Sequence, residues 1–415
     1  MNDRARAITT LSAHVAAVVL CQATASAMHF ILPVLARRQF AAGDWETLLI
    51  TASPNMFYAL SIFWQHLATR IRPGRFIFLF WACAYLPWGL IGFTSHFWQF
   101  AVLHVIASIG GAAWAPITAD LLRRLYPEAT RGRSFGIVST ATLLAGAGAG
   151  FAIGAWLERD ASAFRLILPL SAGCQLLGVL GLIALDHANK RSRSEQPAAT
   201  QGPIWTAALA PLRGARHILR SDRLFFRYEA AFMTYGIGWM ISYALLPIIG
   251  TKRLELPYDT YAQTTQVPLQ IAMVLTALPC GWISDRIGPA RTSALAFGLY
   301  TLFPLGLLLS QGPGNLAATC ALWGVCSAGV NVGWMLGPVS LAPSPALVQQ
   351  YVAIHATMVG LRGTLFQFLG MGLYKATGSF TLSLAVGAAG FAWAAWQMWS
   401  LRRDFAARVA ARAAS

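Results

Sequence analysis

Apolar residues in this chain run in long blocks rather than alternating with polar ones. Residues 101–119, 134–157 and 292–361 contain no Asp, Glu, Lys or Arg. A bilayer core of about 30 Å needs about 20 such residues per helix. Backbone polar groups must be satisfied within lipid, which leaves helices or a closed barrel. The blocks are about twice the length of a barrel strand and lack its alternation. The pattern therefore predicts an all-α integral membrane protein of twelve transmembrane helices, at 10–35, 47–68, 76–94, 98–121, 134–157, 165–186, 228–250, 262–283, 292–310, 315–341, 348–374 and 379–400. The long charge-free run is divided by the turn residues Gln311-Gly-Pro-Gly-Asn315 and by Pro343 and Pro345.

One polar interruption stands out. Residues 186–201 are rich in charge and free of aromatics, a linker composition. From Trp205 to Arg220 apolar residues interleave with Arg213, Arg216, His217 and Arg220, as in a helix lying on a membrane surface. The expected organisation is a six-helix bundle at 1–187, a linker with an interfacial helix at 188–222, and a second six-helix bundle with a basic tail at 223–415. The halves resemble each other locally. Thr69 to Arg75 reads T-R-I-R-P-G-R after span 2, and Asp285 to Arg291 reads D-R-I-G-P-A-R after span 8. Trp114 and Trp334 also stand near the ends of spans 4 and 10. Together these predict an internal duplication.

Composition agrees. The 415 residues are 56% hydrophobic and 11% charged, against about 25% charged in soluble domains. The net charge is +16, which in a soluble chain would suggest nucleic acid. Here Lys and Arg concentrate on alternate loops: Arg4 and Arg6, Arg70/Arg72/Arg75, Arg123/Arg124/Arg131/Arg133, the middle segment, Arg286/Arg291 and the tail from Arg402. The positive-inside rule makes that side cytoplasmic. Both termini are then expected in the cytoplasm of a multi-pass inner-membrane protein, and no nucleic acid is needed to explain the charge. The six cysteines all fall in predicted spans. They read as buried small hydrophobes, with no metal site and no cofactor. A monomer is expected.

Gly281-Trp-Ile-Ser-Asp285-Arg286-Ile-Gly288-Pro-Ala-Arg291 resembles the G-x-x-x-D-R-x-G-x-R loop of the major facilitator superfamily, with one extra residue before the last Arg. The first copy is degenerate: Gln65, Thr69 and Arg72 replace Gly, Asp and Gly. The resemblance implies two pseudo-symmetric six-helix bundles and alternating access. It also implies a gating role for Gly281, Asp285, Arg286, Gly288 and Arg291, with Arg70, Asp120, Arg131 and Arg133 around the same side. A purely topogenic loop is the plainer alternative. Gly146, Gly150 and Gly154 in span 5, and Gly360, Gly363, Gly370 and Gly372 in span 11, predict close helix packing.

In this superfamily the first and fourth helices of each half line the cavity. Polar residues are expensive in lipid and tend to face such space. On that basis the candidate substrate-binding residues are Gln22, Ser26 and His29 in span 1, His104 in span 4, Tyr235, Trp239 and Tyr243 in span 7, and Asn331 and Trp334 in span 10. Neighbouring spans add Asn55, Gln270, His355 and Arg362. Each has a plainer packing role as its alternative. An Arg well inside span 11 must find a partner, a watered cavity or an anion. Asp120 and Glu229 are expected at helix ends, so proton coupling through a mid-membrane carboxylate is not expected. A His or these two residues leave the proton open as coupling ion. No nucleotide-binding loop occurs.

The function this implies is a secondary or facilitative transporter of a small organic solute. Siderophore- or peptide-like uptake and small-molecule efflux are equal options. A transport-inactive membrane scaffold or assembly factor is the alternative. No nucleophile–base set suggests an enzyme.

Overall fold

The computed structural model describes residues 3–68, 70–188, 214–344 and 347–413. Its helices in chain order are α1 (Asp3–Gln39), α2 (Asp44–Phe57), α3 (Ser61–Ala68), α4 (Pro73–Phe80), α5 (Leu86–Leu90), α6 (Phe97–Gly111), α7 (Trp114–Leu125), α8 (Glu128–Arg159) and α9 (Phe164–Ala188). There follow α10 (Arg223–Ile248), α11 (Tyr258–Thr264), α12 (Gln266–Ile287), α13 (Pro289–Tyr300), α14 (Leu302–Leu309), α15 (Pro313–Leu341), α16 (Val348–Thr377), α17 (Phe380–Ser400) and α18 (Arg402–Ala413). No strand occurs among the described residues. Ten helical segments are long and apolar enough to cross a membrane. The pair α2–α3 and helix α17 complete the twelve that the hydropathy pattern predicts.

Several spans are broken, and the breaks follow the chain's chemistry. The second span divides at a 3-10 turn, Tyr58–Leu60. The third contains a π-helical turn, Trp81–Tyr85. Pro87 lies just beyond it, has no N–H to donate, and crowds the carbonyl four residues back. The fourth span breaks between α6 and α7 after Gly110-Gly111. A Cβ at Gly110 would collide with the Cys83 carbonyl, so glycine there lets α6 lie against the backbone of the π turn. Between α12 and α13, Gly288 takes φ +87° and its N–H donates to the Ser284 carbonyl at 2.8 Å. That left-handed conformation, followed by Pro289, produces the reversal read from the loop sequence.

The chain forms two compact units. One comprises Met1–Gly43 with Leu60–Ala208, the other Asp44–Ala59 with Leu209–Ser415. In the first, α1 packs along α8 and α9, and Gln175 Nε2 donates to Thr24 Oγ1 at 3.0 Å. In the second, α10 packs on α16 and α17, and α12 and α13 pack on α15. Its core is aromatic. Tyr235 stacks on Phe297 at 4.6 Å, and Tyr300 stacks on Phe391 at 4.8 Å. Helix α2 belongs to this second unit because the glycine face of α16 receives it. A Cβ at Gly363 would meet Asn55 Cβ at 2.9 Å, and one at Gly360 would collide with Ala59. Close packing is thus present at Gly360 and Gly363, while a Cβ at Gly372 would meet nothing within 4 Å.

Lipid-facing surfaces are recognisable by exposed large apolar side chains, such as Leu275, Leu278, Trp282, Trp393 and Trp396. Of the expected interfacial helix, residues 189–213 lie outside the described residues. Residues 214–221 are helical, with Ile218 buried and Arg216, His217 and Arg220 exposed. Thr69 and Pro345 also lie outside the described residues.

Candidate functional site

The second unit buries an unusual set of ionisable groups on the facing sides of α10 and α16. Glu229, His355 and Arg362 are all buried. His355 Nδ1 lies 2.9 Å from Glu229 Oε1 and 3.1 Å from Oε2. With the carboxylate ionised, the Nδ1–H donates to it, and this sets the neutral tautomer. Nε2 of His355 is buried without a hydrogen-bond partner among the described residues.

Arg362 stands two turns along α16 from His355, on the same face. Its Nη1 donates to the Phe232 carbonyl at 2.8 Å. Its guanidinium lies 5.5 Å from the centre of the Tyr235 ring, in the range of a cation–π contact. Gly236 makes this possible, since a Cβ there would collide with the Arg362 stem. Glu229 is within electrostatic range of Arg362. Arg362 Nε has no partner among the described residues. A buried Arg needs compensation, and one buried carboxylate near it supplies the charge balance.

The expectation for Glu229 needs correction. A span beginning at 228 puts this residue at its mouth. The helix begins at Arg223, so Glu229 lies well over a turn inside and is buried. Its pairing with His355, 126 residues away, left no local signal in the sequence.

The other candidates in this unit divide into groups. Trp239 and Tyr243 form a parallel stack, 5.4 Å between centres and 5° between planes. Both are half-buried, so the predicted stripe is an aromatic shelf rather than core. Tyr235 is not part of it and packs into the core instead. Trp334 packs against the His355 ring at 5.6 Å. Gln270 is buried and Asn331 is exposed. Asn55 abuts Gly363.

In the first unit, Gln22 Nε2 donates to the Tyr85 hydroxyl at 2.6 Å. His29 meets the Trp88 ring edge-on at 5.5 Å. Trp88 Nε1 donates to His104 Nδ1 at 3.3 Å, and His104 also stacks on Phe100. His104 is therefore a packed, partnered residue. Ser26 lies on the same helix and is half-buried.

Of the gating candidates, Asp120 pairs with Arg123 at 3.2 Å and with Arg124, and Arg124 also holds Asp186. Asp285 and Arg286 are exposed at the end of α12, with Gly281 half-buried one turn earlier and Arg291 exposed beyond Gly288. At the start of α8, Arg131 is half-buried and Arg133 exposed; Arg70 is half-buried near the end of α3.

A further cluster was not anticipated. Asp44, buried at the start of α2, meets Lys375 Nζ at 2.9 Å and Lys252 Nζ at 3.5 Å. Lys252 also donates to the Tyr374 hydroxyl at 3.1 Å. Asp44 and the two lysines stand 208 and 331 residues apart, so no local pattern in the sequence joins them.

A gallate transporter of Pseudomonas putida is 27% identical over 261 residues, covering 57% of this chain and 56% of the relative. The match thus spans little more than half of that relative. Among solved structures, a peptide transporter of the POT type in complex with alafosfalin superposes with a TM-score of 0.79 at 12% identity, covering 96% of this chain and 95% of that one. A POT family transporter in complex with 5-aminolevulinic acid gives 0.78 at 14% identity, covering 95% and 96%. At such identities these show the fold alone. The family model of the Major Facilitator Superfamily matches residues 15–374, most of the chain and parts of both compact units, and the chain belongs to that superfamily.

Proposed function

We propose that this protein is a secondary transporter of a small organic anion, worked by alternating access and driven by protons. The buried Glu229–His355–Arg362 set is the observation that carries this reading. With Glu229 ionised, His355 neutral and Arg362 charged, the set is balanced. A proton taken up by the Glu229–His355 pair leaves one positive charge. An organic carboxylate near Arg362 restores the balance. Each ligand therefore favours the other, and the coupling is reciprocal. An empty site is balanced, and so is one holding both ligands. A site holding only one carries an uncompensated buried charge, which is costly in lipid.

The half-buried Trp239–Tyr243 stack supports an aromatic or planar solute, because offset stacking adds about 0.5–1.5 kcal/mol per ring pair beyond area burial. Gallate, named for the Pseudomonas putida relative, is an aromatic carboxylate and a sensible first probe. Asn55, Gln270, Asn331 and Trp334 supply neutral polar or aromatic contacts within the second unit in this reading, and Gln22, Ser26, His29 and His104 are the separate candidates of the first unit. The loop residues Gly281, Asp285, Arg286, Gly288 and Arg291 act in closing one side in the second unit, and Arg70, Asp120, Arg131 and Arg133 are the gating candidates of the first. The positive-inside pattern puts that side and both termini in the cytoplasm, in an inner membrane, and the protein acts as a monomer. A transport-inactive scaffold would leave a buried acid, base and guanidinium without a role.

The test is uptake of labelled gallate into proteoliposomes under an imposed pH gradient, acid outside. Accumulation above the outside concentration that collapses with the gradient is expected. Uptake that ignores the gradient would make the protein a uniporter. No uptake of any aromatic carboxylate would overturn the substrate class.

A further inference from the structure

A second polar site lies at the opposite surface of the same unit from the Asp44 cluster. It is a groove of about 650 Å3 lined by Arg223, Leu224 and Arg227 of α10 and by Asp404 and Arg408 of α18. We infer that this groove binds the phosphodiester headgroup of an anionic phospholipid.

The charges support an anion. Arg408 Nη1 donates to Asp222 at 2.9 Å and to the Leu341 carbonyl at 3.1 Å. Arg227 Nη1 donates to Asp404 at 2.9 Å. Arg223 is exposed and makes no hydrogen bond or ion pair with any described residue. Two carboxylates thus offset two of the three guanidinium groups, and the third is left over. The surroundings add to it: Arg220, Arg402 and Arg403 flank the groove in sequence, and none of the three is buried. The groove also meets the first turn of α10, where the helix dipole favours negative charge.

The apolar surroundings favour a lipid over a free phosphate. Arg227 also reaches Ser400 Oγ at 3.3 Å. One turn below Ser400, Trp396 is 67% exposed, and Trp399 and Phe226 are 43% and 53% exposed. Arg402 lies 4.5 Å from the centre of the Trp399 ring. Aromatic side chains of this kind settle at the membrane–water boundary. A headgroup in the groove would run its acyl chains along Phe226 and Trp396. Basic pockets between membrane helices hold such headgroups by charge-assisted hydrogen bonds. Occupancy would tie the amphipathic α18 to the start of α10, which is already joined to it through Asp222–Arg408 and Arg227–Asp404.

The inference does not depend on the transport reading, and its test is made on the whole chain in detergent. Native mass spectrometry and thermal unfolding are followed as phosphatidylglycerol or cardiolipin is added, with phosphatidylcholine and inorganic phosphate in parallel. The anionic lipids are expected to bind and to raise the unfolding temperature, while phosphatidylcholine and inorganic phosphate do neither. Arg223→Ala should weaken binding roughly fivefold and Arg223→Gln/Arg227→Gln by more than tenfold. Arg159→Ala, in the other unit, should leave it unchanged. Unfolding temperatures without lipid show whether each variant is folded. Equal stabilisation by phosphatidylcholine, or anionic binding indifferent to the double variant in folded protein, would overturn the site. Equal occupancy by inorganic phosphate would make it a soluble-anion site and overturn the lipid.

Discussion

His355 Nδ1 rests 2.9 Å from the Glu229 carboxylate, with both side chains buried between α10 and α16. If that pair carries the coupling proton, Glu229→Gln should separate two activities. Concentrative uptake under a pH gradient should fall at least tenfold. Exchange of internal for external solute, which needs no net proton movement, should survive. Loss of both to the same degree would assign Glu229 to folding or solute binding instead.

Removing the carboxylate charge should be worse for stability than removing the histidine. Glu229→Gln keeps a group able to hydrogen-bond the ring but leaves Arg362 buried without its balancing charge, and breaking a buried charge pair from one side costs about 3–5 kcal/mol. His355→Ala leaves Glu229 and Arg362 to balance each other and takes one hydrogen-bond donor from the carboxylate, about 1–3 kcal/mol. Thermal unfolding in detergent should therefore rank wild type, then His355→Ala, then Glu229→Gln.

Arg362 is expected to act through its planar fork and not through charge alone. It donates to the Phe232 carbonyl at 2.8 Å while lying over Tyr235. Lysine keeps the charge but cannot reproduce both contacts. Arg362→Lys should thus raise the KM for an organic anion tenfold or more, nearly as far as Arg362→Ala. Gly236→Ala, which pushes on the same stem, should shift KM in the same direction by less. A full rescue by lysine would reduce Arg362 to a point charge.

The Asp44–Lys375–Lys252 cluster should contribute modestly at rest. Asp44 is buried, but the two lysines are about half exposed, so screening holds the pair terms to about 1 kcal/mol or less. Asp44→Asn leaves two ammonium groups facing each other and should lower the unfolding temperature by a few degrees. Adding Lys252→Gln should recover part of the loss. Strict additivity of the two substitutions would show that they do not interact.

Asp222 sets an acid limit on the stability of the second unit. Burial would raise its pKa, but hydrogen bonds from Arg408, the Phe225 N–H and the Tyr351 hydroxyl, with the Arg408 charge, hold it below the usual carboxylate value. Its folded value is thus lower than its unfolded value near 3.9. The stabilisation is complete above the unfolded value and is lost as pH falls through the folded one. The gap in unfolding temperature between wild type and Asp222→Asn should be constant from neutral pH to about 5 and close below about 4. A gap that widens on acidification would contradict the sign.

Much of the architecture was legible without coordinates. Long charge-free blocks dictate membrane helices because lipid offers the backbone no hydrogen bonds. Gly288-Pro289 announces its reversal because only glycine takes that φ cheaply. The Gly360/Gly363 face announces close packing because it lacks side chains to prevent it. These are local properties, readable within a few residues.

What only the tertiary structure decided is which buried polar groups meet. Sequence alone marked His355 and Arg362 as costly in lipid. It could not show that Glu229, drawn at a helix mouth, lies inside and meets the His355 ring. Nor could it show that Asp44 joins Lys252 and Lys375, or that Arg408 reaches back 186 residues to Asp222. Such pairings depend on which helix faces turn toward each other. Hydrophobic burial sets that across the whole unit, and nothing in the residues flanking each charge records it.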